Sequence, residues 1–421
     1  MRKKILTALL FMLTSLTAAA NDTDSLQVYM LAAIQSNPAV SASYNRYKAQ
    51  MEASTGAGQL PDPEFGMSIY PQAMHHSNSK QILTLSVMQM FPWFGTLKSV
   101  RMAQQWQAEA MYQRFREEGL SLVFDVQKQW YDILLTRQQL KSVRENLKTL
   151  KDIEQVALAQ YRTALGMKNS RMSDQLRLQA EELRLQEQIE SLRDKEKLQC
   201  RQLNLLMHRD ADSKLVLPDT MSIRPFPVVD WGKLESASPR LQQLSAQEKM
   251  YRSQADAVRG QGFPRIGIGL EYMVNGKINM PVMPDMNGKN MVMPMLKVTL
   301  PIYRSKTRAG IKSAQLMQQS ANDAYLRQQD ELHAQYLSVE QRAEDAKRQA
   351  SLYDNELKLL NQTLHLMVAE YANGTTSLTD ILQTSRENID YSLKKFEALA
   401  RYNTIVAEYE KLASLHDYAA K

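Results

Sequence analysis

The sequence predicts a mainly α-helical fold with a small β part, in which long coiled-coil helices and short strands occur in two successive repeats. Gly and Pro number only 15 and 14 among 421 residues, and Leu, Gln, Ala, Lys, Arg and Glu dominate. These straight-chain residues lose little side-chain entropy in a helix. No proline lies between Pro92 and Pro218 or after Pro301, so two long stretches can form uninterrupted helices.

Self-similarity along the chain supports an internal duplication. Residues 37–67 align without gaps with residues 238–268, at an offset of 201. Residues 90–94 align with residues 299–303, at an offset of 209. The connection between the two aligned blocks is therefore eight residues longer in the second copy.

We predict a first structural repeat at residues 21–210, a linker at residues 211–230 and a second repeat at residues 231–421. Each repeat is expected to contain a helix, two strands and a long helical hairpin. Three prolines exclude a continuous helix across the linker: Pro218, Pro225 and Pro227.

Apolar residues recur at spacings of three and four along the proline-free stretches, which indicates helices that pack on other helices. Clear examples in the first stretch are Val126, Trp130, Ile133, Leu140, Val143, Leu147 and Leu150. A helix from about Gly95 to Thr163 would be roughly 100 Å long at 1.5 Å per residue. An ordinary helical bundle or a cytoskeletal coiled coil would also explain this spacing, but it would not explain the strands.

Four short strands are predicted, near residues 64–71, 81–91, 265–274 and 292–301. Apolar and polar or small residues alternate in them, as in Leu83, Leu85 and Val87 and in the series Ile266, Ile268, Leu270, Tyr272 and Val274. Their length suits the 9 to 11 residues of a tilted membrane strand. About eight strands are needed merely to fill a barrel with side chains, so closing a barrel around a pore would require several chains.

The first 20 residues are typical of a secretory signal peptide. Arg2 to Lys4 are basic, the stretch from Ile5 to about Leu16 is apolar, and small residues follow at Ala18 to Ala20. Without those three basic residues the formal net charge falls from +7 to +4, which is too small an excess to indicate nucleic-acid binding. The single cysteine, Cys200, excludes an intrachain disulfide.

The sequence does not predict an enzyme or a resident cofactor. No metal-protease spacing, P-loop or nucleophile elbow is present, and the acidic and basic residues are scattered along helix faces. The histidines lie at positions 75, 76, 208, 333, 365 and 416.

Several motifs resemble the TolC family of outer-membrane efflux proteins over essentially the whole mature chain. They are the duplicated proline-strand blocks, the segment from Val298 to Tyr303 before a long helix, and the segment from Tyr371 to Leu382. The resemblance implies a trimeric α/β barrel in the outer membrane of a Gram-negative bacterium, with four transmembrane strands from each protomer and helices that cross the periplasm. Besides membrane lipid, it implies that the chain forms a homotrimer with two further copies of itself. It also implies a periplasmic adaptor (membrane fusion protein) and an inner-membrane RND-type pump as partners.

The same resemblance implies roles at the periplasmic end of the helices. Gly166 and Gly374 would lie where helix pairs reverse, and the surrounding tip would form the entrance and dock the adaptor. Asp380 would line the entrance as part of an acidic ring, although an acid in the first turn of a helix is an equally good interpretation. Matched positions complete this candidate site: Asp174, Tyr371 and Gln383. Gln383 replaces a second acidic residue of the family pattern and Thr376 a basic one, so the details of gating differ.

Methionines are concentrated around the longer second connection. Thioether sulfur prefers Cu(I), and by the same softness Ag(I), over hard cations. The predicted metal ligands are Met74, His75, His76, Met280, Met283, Met286, Met291, Met293 and Met295. This pattern resembles the CusC-like branch and suggests a passive duct for heavy-metal ions. Methionine is also a flexible filler in packed and adaptable surfaces, which leaves the metal interpretation open.

Two alternatives remain. A duct of the same type could serve drugs or other small organic molecules, because substrate recognition would lie mainly in the pump. A soluble periplasmic coiled-coil adaptor would share the long helices, but it would contain one hairpin, whereas this sequence predicts two, each preceded by a strand pair.

Overall fold

The computed structural model describes residues 22–76, 79–163, 172–279, 285 and 287–418. The predicted signal peptide at residues 1–20 lies outside these residues. Among these residues the fold is mainly helical with one small antiparallel sheet, which confirms the predicted combination of mainly α structure and a small β part.

In chain order the helices and strands alternate as two helices, two strands and two helices, twice. The first six elements are α1 (Asp22–Ser36), α2 (Pro38–Ala57), β1 (Glu64–His76), β2 (Ser79–Phe91), α3 (Thr96–Thr163) and α4 (Met172–Leu206). The second six are α5 (Trp231–Ala237), α6 (Pro239–Gln261), β3 (Arg265–Gly276), β4 (Met291–Thr299), α7 (Arg304–Ala372) and α8 (Leu378–Leu412).

The helices α3 and α7 are 68 and 69 residues long, and α3 begins and ends within a residue of its predicted limits. Both lie in the proline-free stretches. No helix among the described residues combines the length and apolar character needed to span a membrane.

The chain divides into two compact units. One contains residues 42–115 and 239–329, and therefore α2, α6, the whole sheet and the first parts of α3 and α7. Aromatic side chains join α2 to α3 in this unit: the Tyr44 and Phe115 ring centroids are 5.3 Å apart, and those of Tyr47 and Tyr112 are 5.2 Å apart.

The other unit contains residues up to 41, residues 116–238 and residues 330–421, with the remaining parts of α3 and α7 and all of α4 and α8. Its largest fully buried side chains include Trp130, Ile133 and Tyr409. Long helices therefore bury apolar stripes against one another, as the three-and-four spacing predicts.

The predicted linker at residues 211–230 is irregular and is attached to α8 by polar contacts. The Arg224 backbone N–H donates to Oδ1 of Asn403 at 3.1 Å, and Nδ2 of Asn403 donates to the Ser222 carbonyl at 2.8 Å. Nη1 of Arg224 donates to Oε2 of Glu410 at 3.0 Å. Asn403 is fully buried, so its amide satisfies backbone groups that water does not reach.

The sheet has the order β1-β2-β3-β4, and all neighbouring strands are antiparallel. β1 continues beyond its predicted end near residue 71, through Met74, His75 and His76. Met291, Met293 and Met295 lie in β4. β1 is longer than predicted because His75 pairs with Lys80, and β4 begins one residue earlier than predicted because Met291 pairs with Met273.

Candidate functional site

The reversal between α7 and α8 is built around Gly374. This glycine has φ +78°, and its backbone N–H donates to the Tyr371 carbonyl at 2.9 Å. The Thr375 N–H donates to the Glu370 carbonyl at 3.1 Å. This pair of hydrogen bonds is a Schellman motif, and glycine adopts its left-handed position without steric strain.

The next helix, α8, begins with a reciprocal pair of contacts between Ser377 and Asp380. The Ser377 side chain accepts the Asp380 backbone N–H at 3.2 Å, and the Ser377 hydroxyl donates to Oδ2 of Asp380 at 2.6 Å. Asp380 is exposed and lies in the first turn of the helix. Its negative charge therefore lies at the positive end of the helix dipole, which stabilises the helix. Because the side chain is exposed, a role in an acidic ring stays a prediction.

Beneath this reversal four helices share an apolar cluster. It contains Ile153 and Ala157 of α3, Leu178 and Leu185 of α4, Leu364 and Tyr371 of α7, and Leu378, Ile381 and Leu382 of α8. Tyr371 is 8% exposed. Burial raises the pKa of its hydroxyl, and the negative charge of Asp174 raises that pKa further. The structure therefore brings Asp174, Tyr371, Gly374 and Asp380 into one region, which we call the helix-reversal site.

Polar contacts connect α4 to α8 beside this cluster. Nη1 of Arg177 donates to Oγ1 of Thr379 at 2.5 Å. Further along, Oε2 of Glu181 accepts from Nη2 and Nε of Arg386 at 2.7 and 3.0 Å, while Arg184 binds the other carboxylate oxygen. Burial alone would raise the pKa of Glu181, but the hydrogen bonds from Arg386 and Arg184 outweigh it and lower the pKa. Glu181 is not predicted from the sequence, because a single carboxylate in a charged helix has no distinguishing local pattern.

Two other predicted residues contribute less to the helix-reversal site. Gln383 is exposed and donates to Oε1 of Glu387 at 3.2 Å, one helical turn away. Gly166 lies outside the described residues. Oγ1 of Thr376 donates to Oε2 of Glu370 at 2.7 Å, so this departure from the family pattern holds the reversal together within the chain.

The sheet has one apolar face, which is exposed. Register places the following apolar residues on it, with polar Gln89 of β2 between Val87 and Phe91: Phe65, Met67 and Ile69 of β1; Leu83, Leu85, Val87 and Phe91 of β2; Ile266, Ile268, Leu270, Tyr272 and Val274 of β3; Val292, Pro294, Leu296 and Val298 of β4. Phe65 is 68% exposed, Leu270 59% and Leu296 73%. A contiguous apolar surface of this kind marks a membrane or protein contact.

Aromatic side chains collect at the end of the sheet where β2 ends and β3 begins. The rings of Trp93 and Phe263 stack with centroids 5.2 Å apart, and Phe94 is 89% exposed. Tyr303, just after β4, is 77% exposed. Aromatic girdles of this type border the apolar band of membrane proteins built from strands.

The opposite face of the sheet carries small, polar and sulfur-containing side chains. Its methionines are Met88, Met90, Met273, Met291, Met293 and Met295, which we call the methionine face. The structure thus brings three of the predicted metal ligands together with three methionines outside the prediction. Strand register is the signal that unites them, since methionines two positions apart on a strand point to the same side.

The other predicted metal ligands cannot be placed on this face. Met280, Met283 and Met286 lie outside the described residues, and for Met74, His75 and His76 the structure describes only the backbone, in β1. In the described part of the chain, no group of three or more His, Cys, Asp or Glu side chains could hold a metal ion.

Residues 232–412 match the sequence model of the family described as outer membrane efflux protein. This segment therefore carries the sequence pattern of that family. No curated protein sequence matches the chain.

Solved structures match nearly the whole chain in fold. The outer membrane protein VceC of Vibrio cholerae has a TM-score of 0.76 at 13% identity, over 92% of this chain and 96% of VceC. CusC, described by its transmembrane channel formation, has a TM-score of 0.76 at 16% identity, over 94% of this chain and 95% of CusC. The open outer membrane channel MtrE of Neisseria gonorrhoeae has a TM-score of 0.72 at 16% identity, over 92% of this chain and 89% of MtrE.

These likenesses define the class of protein by its fold: the chain has the TolC-like fold of outer-membrane channels. VceC and CusC match with the same TM-score, so the likeness in fold does not distinguish between them.

Proposed function

We propose that the whole chain belongs to the outer membrane efflux proteins and serves as a passive duct of a tripartite efflux system in a Gram-negative outer membrane. The exposed apolar face of the sheet carries this conclusion. In a chain with the fold of outer-membrane channels, such a face suits lipid contact, and the small and polar face behind it suits a water-filled lumen.

Three copies would complete the duct. The sheet ends at β1 on one side and β4 on the other, and each edge strand has one neighbour within the chain. Pairing β4 of one protomer with β1 of the next would give a closed 12-stranded barrel that leaves no edge in lipid. Unpaired backbone groups are costly there, so closure favours a homotrimer in which the internal duplication supplies two hairpins from each protomer.

The helix-reversal site is the proposed periplasmic entrance and the place where an adaptor docks. Exposed Asp380 would attract cations if three copies formed a ring. The helical ends would open by separating α4 from α8, which Glu181 and Arg386 hold together. The proposed duct is passive and has no cofactor. An RND-type pump in the inner membrane would therefore supply the substrate and the energy for transport.

Heavy-metal ions, Cu(I) or Ag(I), are the proposed substrates. The methionine face supports this assignment, because soft thioether ligands suit these ions. Drugs and other small organic molecules are the alternative for the same duct, since the fold is common to both kinds of channel.

The duct itself is tested by reconstituting the purified protein in planar lipid bilayers and recording ion conductance. We expect stepwise conductance and recovery of the protein in the outer-membrane fraction. A protein that stays in the detergent-free soluble fraction of the periplasm and forms no pore would contradict the duct and favour the soluble adaptor.

The substrate is tested by deleting the gene and measuring growth in copper, in silver and in organic toxicants. We expect sensitivity to copper and silver that the wild-type gene reverses. Unchanged metal tolerance together with increased sensitivity to organic toxicants would replace the metal assignment with the organic one.

A further inference from the structure

The sheet register arranges the methionine face in ordered rows across β2, β3 and β4. One row is Met88, Gly269 and Met295, and the next toward the aromatic end is Met90, Gly267 and Lys297. On the other side, Ser86, Glu271 and Met293 form the adjacent row. Met88 and Met295 lie on either side of Gly269, about 10 Å apart across two strand spacings, so their side chains can extend toward each other over this glycine.

Two glycines open the space between the methionines. Gly267 and Gly269 are the buried positions of β3. A methyl group placed on Gly267 would lie 2.5 Å from Sδ of Met90 and 3.3 Å from Sδ of Met88. Both sulfurs therefore lie over the same glycine, at a place where any other residue would displace them.

We propose that Met88, Met90, Met293 and Met295 form a series of thioether ligands, on the face opposite the apolar one, that holds a monovalent soft cation, Cu(I) or Ag(I), by two or three neighbouring sulfurs at a time. The assignment of this ion as cargo rests on the proposed function. The four methionines flank a floor of glycine backbone, and their unbranched side chains can adjust to two or three sulfur ligands around one ion.

The charges around the site suit transient binding. Thioethers are neutral, so they provide softness without a fixed charge that would retain the ion. Glu271 lies in the row of Met293 and attracts a cation, while Lys297 lies in the row of Met90 and opposes its movement toward the aromatic end. A passive duct requires such weak sites, because an ion must leave as readily as it binds.

Silver binding to the purified full chain tests the site directly. The protein carries Cys200→Ala, since the single cysteine is itself a soft ligand. Equilibrium dialysis against silver nitrate in chloride-free buffer gives the affinity, and X-ray absorption at the silver edge identifies the ligands. Two pair variants, Met88→Leu with Met90→Leu and Met293→Leu with Met295→Leu, are compared with a control pair, Met67→Leu with Met317→Leu, at exposed positions elsewhere.

Each site pair is expected to weaken the tightest silver binding by at least about tenfold, because even changes behind a metal ligand commonly cost that much affinity. The control pair should bind silver as the Cys200→Ala protein does, with sulfur as the only neighbour of silver. Unchanged circular dichroism would show that leucine, similar in volume to methionine, preserves the fold. The methionines outside the described residues are present in every variant, so they do not affect the comparison.

Wild-type silver affinity in both site pairs would overturn the site and make the methionines packing residues. Nitrogen or oxygen as the main neighbours of silver would also overturn it. The same variants in the growth assay separate the site from the function. If the methionines bind silver but the channel has no effect on metal tolerance, the silver site stands and the assignment of the ion as cargo is overturned. A channel needed for tolerance whose pair variants still bind silver retains the function and overturns the site.

Discussion

Glu181 is a buried carboxylate that accepts hydrogen bonds from two arginines on different helices. Its side chain is 5% exposed, while those of Arg184 and Arg386 are 49% and 57% exposed. The arginines therefore bring charge to a carboxylate that the helices have removed from water. Leaving a buried charge unpaired is costly, so the two contacts matter more here than a surface ion pair would.

We expect Glu181→Gln to lower the free energy of unfolding by about 1.5–3 kcal/mol, the usual value of a hydrogen bond to a charged group. Glu190→Gln on the same helix is the control, because that carboxylate is 66% exposed and pairs only with Arg193 in the structure described; its effect should be within about 0.5 kcal/mol. Chemical denaturation in detergent measures both. Equal effects of the two substitutions would show that Glu181 does not connect α4 to α8.

The lowered pKa of Glu181 also predicts a pH dependence. Because the folded state holds this pKa below its ordinary value of 4.5, the carboxylate stabilises the fold fully above that pH. The stabilisation is lost as pH falls through the lowered pKa, where protonated Glu181 resembles glutamine. Denaturation from pH 7 to pH 3 should therefore show the difference between wild type and Glu181→Gln shrinking toward zero. A difference that grew at low pH would contradict the assignment.

At the scale of elements, the long helices are continuous because the chain lacks proline in them, and they reverse where a glycine permits it. Gly374 has φ +78°, and a Cβ atom added there would meet nothing within 4 Å. Any cost of a side chain at this position is therefore backbone strain. Gly56 near the end of α2 has equally open space but lies in a helix.

We expect Gly374→Ala to destabilise the protein by about 1–2 kcal/mol, because alanine is strained in the left-handed conformation. Gly56→Ala should stabilise it by about 0.5–1 kcal/mol, since alanine loses less entropy in a helix. Thermal unfolding followed by circular dichroism measures both changes. A stabilising Gly374→Ala would show that the reversal does not require this conformation.

The two faces of β3 predict opposite tolerance to charge. Under the proposed function, Leu270→Lys places an ammonium group against lipid and should cost about 2–4 kcal/mol near the middle of the bilayer. Met273→Lys, three residues along on the other face, should be tolerated. Recovery of each variant in the outer-membrane fraction is the measurement. Equal recovery would place the apolar face against protein and away from lipid.

At the scale of the whole molecule, one chain supplies a sheet with an exposed apolar face and two edges. Under the proposed function the apolar face suits lipid, but the two edges do not, because lipid cannot satisfy backbone hydrogen-bonding groups. Association of copies is the proposed solution. The predicted internal duplication is consistent with this, since each half contributes two adjacent strands.

We expect the purified protein to have the mass of three chains in detergent. With 48.2 kDa for the full sequence, light scattering combined with refractive index separates trimer from monomer after the detergent contribution is subtracted. The trimer should persist at high salt, because backbone hydrogen bonds and apolar contacts are weakly screened. A monomer that still conducts ions would contradict the 12-stranded arrangement.

Local physical chemistry of the chain determined the helices and the strands, whereas the reversal at Gly374 is predicted from the resemblance to a family. The placement of prolines, the alternation of apolar residues along β3 and the three-and-four spacing of apolar residues in helices are local patterns. They can therefore be recognised in the sequence alone. Whether a segment forms a helix or a strand thus follows from its own residues. The predicted trimer and metal substrate depend on molecules beyond one chain, and they stay predictions, as does the internal duplication.

Only the tertiary structure decided which distant residues meet. Glu181 and Arg386 are 205 positions apart, and Met88 lies across Gly269 from Met295 through strand register. Asn403 satisfies linker backbone groups that no local pattern assigns to it. Such contacts arise from the packing of helices and the pairing of strands, where a shift of one residue would turn every side chain to the other face.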